Sequence, residues 1–198
     1  MKFCGECGGP LEKAWIAEDA RERLVCTICK SIRYENPRIL VSTVVMFEDR
    51  LLLSRRAQPP SVGKWNLPSG FMEQLETLEN AAARETLEET GVQLQPEQLT
   101  LYTVTSLAKI SEVYVCFRAV VADDSCSVGG ESLDVGFFAE AEIPWDDLAF
   151  PEMRSFLRLC FREHAQQSFG IHLSRVDEFG RFRVEYRLAP DVRTRTSA

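Results

Sequence analysis

The sequence predicts an α/β domain preceded by a small metal-binding minidomain, and three observations carry that reading. Four of the seven cysteines fall near the start of the chain as two Cys-x2-Cys pairs. Runs rich in β-branched residues recur at 38–47, 99–105 and 112–121. Between them, residues 78–90 have helix-forming composition and stop at a glycine. A chain of 198 residues with 45% hydrophobic content can bury one substantial core and still carry an appendage. The expected organisation is a zinc ribbon over 1–36, a main domain over 37–168, and a C-terminal hairpin and tail over 169–198.

The opening pairs are Cys4 with Cys7 and Cys26 with Cys29, separated by an 18-residue insert. Two such knuckles can place four thiolates tetrahedrally around Zn²⁺, which fills the shell and makes the site structural. Disulfides are disfavoured in a reducing compartment, and a redox Cys-x-x-Cys is expected beside a βαβ unit that this segment lacks. Six basic residues (Lys2, Lys13, Arg21, Arg23, Lys30, Arg33) are matched by six acidic ones (Glu6, Glu12, Glu18, Asp19, Glu22, Glu35), so the ribbon carries no nucleic-acid footprint. Homodimerisation, or shaping one wall of the active site, is the expected role. Asn36-Pro37 marks the junction.

Residues 38–47 and 51–53, separated by Glu48-Asp49-Arg50, read as paired strands closed by Arg55 and Arg56. The helix that follows has Thr77 as N-cap, alanines at 81 to 83, and Gly91 as its left-handed stop. Six glutamates crowd 70–92 with one basic residue, Arg84. Glu85, Glu88 and Glu89 stand at i, i+3 and i+4, within one sector of the helix, where like charges repel. Hard divalent cations such as Mg²⁺ take such oxygen ligands together with water and phosphate. A merely solvated acidic face is the alternative.

Gly70, Glu76, Arg84, Glu85, Glu88, Glu89, Gly91 and Val92, with Thr86 where an aliphatic residue is usual, fill a pattern that resembles the Nudix box. With the cysteine-rich opening and the stretches 131–133 and 143–150, the chain looks like the zinc-ribbon Nudix hydrolases, particularly plant chloroplast FAD and ADP-ribose pyrophosphatases and their bacterial relatives. The resemblance implies an α/β/α sandwich around a mixed sheet. It also implies hydrolysis of the pyrophosphate bond in a nucleoside diphosphate linked to another moiety, FAD or ADP-ribose foremost. By the same resemblance Glu85, Glu88 and Glu89 hold Mg²⁺ or Mn²⁺ with the Ser69 carbonyl, and Arg84 orients them while paired to Glu76. Glu131 or Asp134 supplies the general base or a further metal ligand, and Arg55 or Arg56 clamps a phosphate. Trp65 either stacks on a nucleobase or anchors the core.

NADH pyrophosphatases of similar layout carry a Ser-Gln-Pro-Trp-Pro-Phe-Pro run after the box, which 93–115 lacks. Leu107 and Ala108 stand where ADP-ribose hydrolases commonly place a proline. NADH or RNA-cap hydrolysis, and a catalytically idle Nudix sensor, are the competing readings. The net charge of −7 disfavours nucleic acid and anionic membranes as general partners. No apolar run approaches a membrane span, and no signal-like segment opens the chain, so a cytoplasmic location is expected. Residues 152–164 have helical apolar spacing. His164 and His172 read as hydrogen-bonded residues rather than ligands, and 171–174 with 181–187 as a hairpin before a tail from about 191.

Overall fold

A computed structural model of the protein describes residues 2–177 and 179–188. It divides into two compact units at Pro37/Arg38. The first is a three-stranded antiparallel sheet, β1 (Leu11–Ile16), β2 (Arg21–Cys26) and β3 (Ile32–Arg33). Its few residues leave Trp15 and Tyr34 exposed, so packing alone gives it little core.

The second unit is built on a mixed sheet. Its strands are β4 (Arg38–Phe47), β5 (Arg50–Arg56), β6 (Trp65–Asn66), β7 (Ser69–Phe71), β8 (Thr100–Leu107), β9 (Glu112–Val120), β10 (Ser132–Ala139), β11 (Ile171–Val176) and β12 (Phe182–Leu188). The order is β10-β5-β4-β9-β8-β11-β12, with β6 on β5 and β7 on β4. The β4–β9 and β8–β11 pairs are parallel, and the others antiparallel. Helix α1 (Leu78–Thr90) lies on one face and α2 (Met153–Ala165) on the other.

Strand alternation decides which side chain meets which helix. On β4, Val41 and Val45 join Ala81 and Ala82 of α1, whereas Val44 and Met46 join Phe156 and Leu157 of α2. On β5, Leu52 packs on the α1 side and Leu51 and Leu53 on the α2 side. Ser54 and Arg56 therefore share the face of Leu52, and Arg55 takes the opposite one.

The terminal hairpin expected as a segment of its own, 169–198, is continuous with this sheet, because β11 pairs in parallel with β8. The expected tail from about 191 lies outside the described residues. Buried His172 on β11 meets the Glu163 carboxylate of α2 at 3.1 Å, and Arg187 of β12 reaches the other Glu163 oxygen at 3.2 Å. Both histidines thus act through hydrogen bonds, His164 contacting the Glu48 carbonyl at 2.6 Å. Glu163→Ala is expected to destabilise the protein by about 2 kcal/mol, because it leaves buried His172 without its carboxylate partner. Urea unfolding measures this.

Candidate active site and metal centre

In the ribbon, the Sγ atoms of Cys4, Cys7, Cys26 and Cys29 all lie within 4.8 Å of one another, and all seven cysteines of the chain are free. The Ser31 hydroxyl, followed by the Cys7 and Glu6 amides, draws the Cys4 thiol down to about 6. The Gly9 amide draws on Cys7, but the crowding sulfurs of Cys29 and Cys26 push it up to about 11. Backbone and hydroxyl donors thus favour thiolate, while sulfur packed on sulfur resists a second negative charge. A cation relieves that conflict, and four converging sulfurs fit one tetrahedral zinc. Cys26 is fully buried and is expected to tolerate no replacement. Cys26→Ser should lose the bound ion and the protection of amides in β1 and β2, as read by metal content and hydrogen exchange.

The second centre is on α1. The Thr77 hydroxyl accepts from the Asn80 amide at 3.2 Å, and Gly91, at φ 70°, closes the helix through its amide to the Leu87 carbonyl. Rotation of 100° per residue turns Ala81, Ala82, Glu85, Thr86, Glu89 and Thr90 to the sheet. The acidic trio is therefore divided: Glu85 and Glu89 are buried and Glu88 is exposed. Thr86 fills the aliphatic position without a loss of satisfaction. Its hydroxyl donates to the Ala82 carbonyl at 2.7 Å and lies 3.0 Å from that of Thr43 on β4.

Arg84 gathers the acids. Its guanidinium donates to Glu76 at 2.7 and 3.1 Å, to Glu85 at 2.7 Å, to Glu88 at 3.2 Å and to the Phe71 carbonyl at 3.2 Å. Burial pushes the Glu85 carboxyl above its usual range despite Arg84, and the charges of Glu88 and Glu131 add to the rise. Burial likewise pushes Glu89 up to about 7, although the Ser54 hydroxyl and the Ser69 amide, at 2.5 and 3.4 Å, pull the other way. Two buried carboxylates with less positive charge than their solvation requires are the donor set a hard divalent ion suits. Among the described residues only the cysteine group has all its ligand atoms converged. The glutamates turn toward Arg84 and Ser54.

Gly70 sits within β7 with no positive φ, so backbone conformation does not call for a glycine there. The glycine serves another need: a Cβ at this position would collide with the carboxyl group of Glu85. Ser69 lies beside Glu89 through its amide.

The remaining site residues fall on two sides. The charge of Arg56 reaches Glu89, and its Nε donates to the Pro60 carbonyl at 2.8 Å. Arg55 faces away, donating to the Gly63 carbonyl and acting on Asp147. Trp65 pairs opposite Arg55 and packs edge-on against Phe138, at 4.9 Å between centroids, within the α2-side core. The structure brings neither Arg55 nor Trp65 to the glutamates.

The loop before β10 delivers Glu131. The Ser127 and Gly129 amides donate to the Thr90 and Glu89 carbonyls at the end of α1, and the Glu131 carbonyl accepts from Ala57 beyond β5. The Glu131 carboxylate consequently acts on Glu85, whereas the charge of Asp134 acts on Cys126. Ser54 was missed by sequence reasoning. Its signal was a serine interrupting the apolar run of Leu51 to Leu53.

A model of the NUDIX domain matches residues 37–160, and one described as Nudix N-terminal, a zinc ribbon, matches residues 2–35. The chain is 29% identical over 145 residues to the NAD-capped RNA hydrolase NudC of Photobacterium profundum, covering 73% of this chain and 52% of that protein. It is 32% identical over 94 residues to NudC of Salmonella heidelberg, covering 48% of this chain and 35% of that one. The chain thus spans about half the length, or less, of these curated relatives. Among solved structures, a NUDIX hydrolase from Nitrosomonas europaea superposes with a TM-score of 0.83 at 41% identity, over 90% of this chain and all of that one. The NUDIX domain of Shewanella oneidensis NrtR, solved with ADP ribose, shares the fold, with a TM-score of 0.57 at 23% identity over 65% of this chain and 90% of that one.

Proposed function

Because the chain belongs to the Nudix family, we propose that it is a metal-dependent pyrophosphohydrolase acting on a nucleoside diphosphate joined to a second moiety. The observation that carries this reading is the pair of buried carboxylates, Glu85 bonded to Arg84 and Glu89 bonded to Ser54 within reach of the Arg56 charge. Glu85, Glu88, Glu89 and the Ser69 carbonyl are the groups that would hold Mg²⁺ or Mn²⁺. Such an ion supplies charge neutralisation for the diphosphate and acidifies water.

The chain's own residues do the rest. Arg84 keeps Glu76, Glu85 and Glu88 spaced and oriented. Arg56, on the glutamate side of the sheet, is the cation that receives a phosphate oxygen; this assigns to one arginine the role that either of the adjacent pair could fill by sequence. Glu131, pinned by its carbonyl to Ala57, takes the proton of the attacking water. The cysteines hold zinc and support the ribbon.

The ADP half common to FAD, ADP-ribose and NAD is the substrate element that this reading requires. The names of the curated relatives favour the NAD-type arm, including capped RNA, even though the Ser-Gln-Pro-Trp-Pro-Phe-Pro run is absent. Turnover of FAD, ADP-ribose, NADH and NAD-capped RNA, each with Mg²⁺ and with Mn²⁺, tests the proposal. Cleavage of the bridge into two monophosphate-bearing halves is the expected result, small monophosphates from the dinucleotides and ADP-ribose, and a 5′-monophosphate RNA plus a mononucleotide from the capped RNA. No turnover of any of the four would favour the idle sensor.

A further inference from the structure

We propose that Ser54 is a positioning residue of the metal site, fixing the Glu89 carboxylate so that one glutamate is already oriented when a divalent ion arrives. The inference rests on the acidic set being that site. Ser54 is only 1% exposed and Glu89 8%, so neither has bulk water as an alternative partner. The Ser54 hydroxyl donates to Glu89 Oε2 at 2.5 Å, the length of a charge-assisted O–H···O⁻ bond, and the Ser69 amide approaches Oε1 at 3.4 Å.

These two donors come from strands on the sheet, whereas Glu85 and Glu88 are held by the side chain of Arg84. The acidic set accordingly has one member fastened to the sheet and two fastened to the guanidinium of a helix side chain. β5 is an interior strand, flanked by β4 and β10, and three leucines precede Ser54. A fourth aliphatic residue would continue that buried run. The serine puts a hydroxyl where the strand passes Glu89, a place where an aliphatic group would leave the carboxylate without its closest donor. Groups that orient metal ligands in this way commonly alter metal affinity by about 10- to 100-fold when removed.

The test is Mn²⁺ binding to the zinc-loaded protein, followed by the paramagnetic resonance signal of free Mn²⁺. Ser54→Ala is expected to bind about tenfold more weakly than wild type. Ser54→Cys, close in size and a poor donor, should weaken binding in the same direction if alanine unsettles the strand. Ser174→Ala provides the control: it removes another buried serine bond, 2.7 Å to Thr105 on the distant hairpin side, and should leave Mn²⁺ affinity unchanged. In a Glu89→Gln background, Ser54→Ala should add little further loss, because the partner it orients is gone. Wild-type affinity in both Ser54 variants would overturn the proposal, as would a full additional loss in the Glu89→Gln background. Absence of Mn²⁺ uptake by the wild type would instead overturn the reading of the acidic set itself.

Discussion

Gly70→Ala is expected to lower kcat/KM by about 100-fold while leaving the fold nearly as stable as before. The added methyl would occupy the place of the Glu85 carboxyl group, which sits against the backbone of β7. The colliding atoms are the far end of a flexible side chain, so Glu85 can rotate away at little cost to packing. What it loses is its 2.7 Å contact with Arg84 and its place beside Glu89. A misplacement on the ångström scale is enough for a loss of this size. The checks are thermal unfolding, expected to be near wild type, and steady-state kinetics. A large fall in stability with little change in catalysis would mean that Gly70 serves the backbone and not Glu85.

Glu89→Gln is expected to reduce kcat by about 100- to 1,000-fold, the scale of losing several kcal/mol of charge stabilisation. The same substitution should stabilise the metal-free protein at alkaline pH. The Glu89 carboxyl is raised in the folded state from 4.5 to about 7, chiefly by burial. The native protein therefore holds this proton more tightly than the unfolded chain does. The contribution of Glu89 is most favourable below pH 4.5, is lost as pH rises toward 7, and stays lost above that. The penalty at pH 8 is on the order of 3 kcal/mol. Glutamine carries no charge to bury, so the variant should lack this decline. Urea unfolding of chelator-treated protein between pH 5 and 8 measures it, and Mg²⁺ should restore wild-type stability at the upper end.

The sequence foretold both ends of α1, because Thr77 and Gly91 are local signals whose geometry depends on few distant contacts. The spacing located the acids, and the resemblance to the Nudix box implied the Arg84–Glu76 pair, which the structure contains. The division of the acids into two buried and one exposed could not be read the same way. A narrow helical sector can straddle the boundary between sheet and solvent, and the position of that boundary depends on packing against β4. Arg55 and Arg56 are adjacent in sequence and opposite in space, so only the register of β5 separates their roles. Trp65 admits two readings in sequence because an aromatic side chain suits both a stacking surface and a core. Its neighbour Phe138 lies more than 70 residues away in the chain. The terminal hairpin was seen, but its docking to β8 was not, since a parallel pair across an intervening helix leaves no local signature.

The turn at Glu48-Asp49 contains no ligand and lies at the opposite end of β5 from Ser54. It nonetheless sets Met46 opposite Leu51 and Phe47 opposite Arg50, and His164 grips its carbonyl. Strand faces alternate with each residue, so lengthening this turn by a single amino acid with a compensating slip in β5 would exchange the two sides. Arg55 would then point at Glu89, and the serine hydroxyl would enter the layer beneath α2. Which side chains face the acidic set is in this sense counted out from a bend that never touches it, and evolution or an engineer can vary that bend in composition more freely than in length.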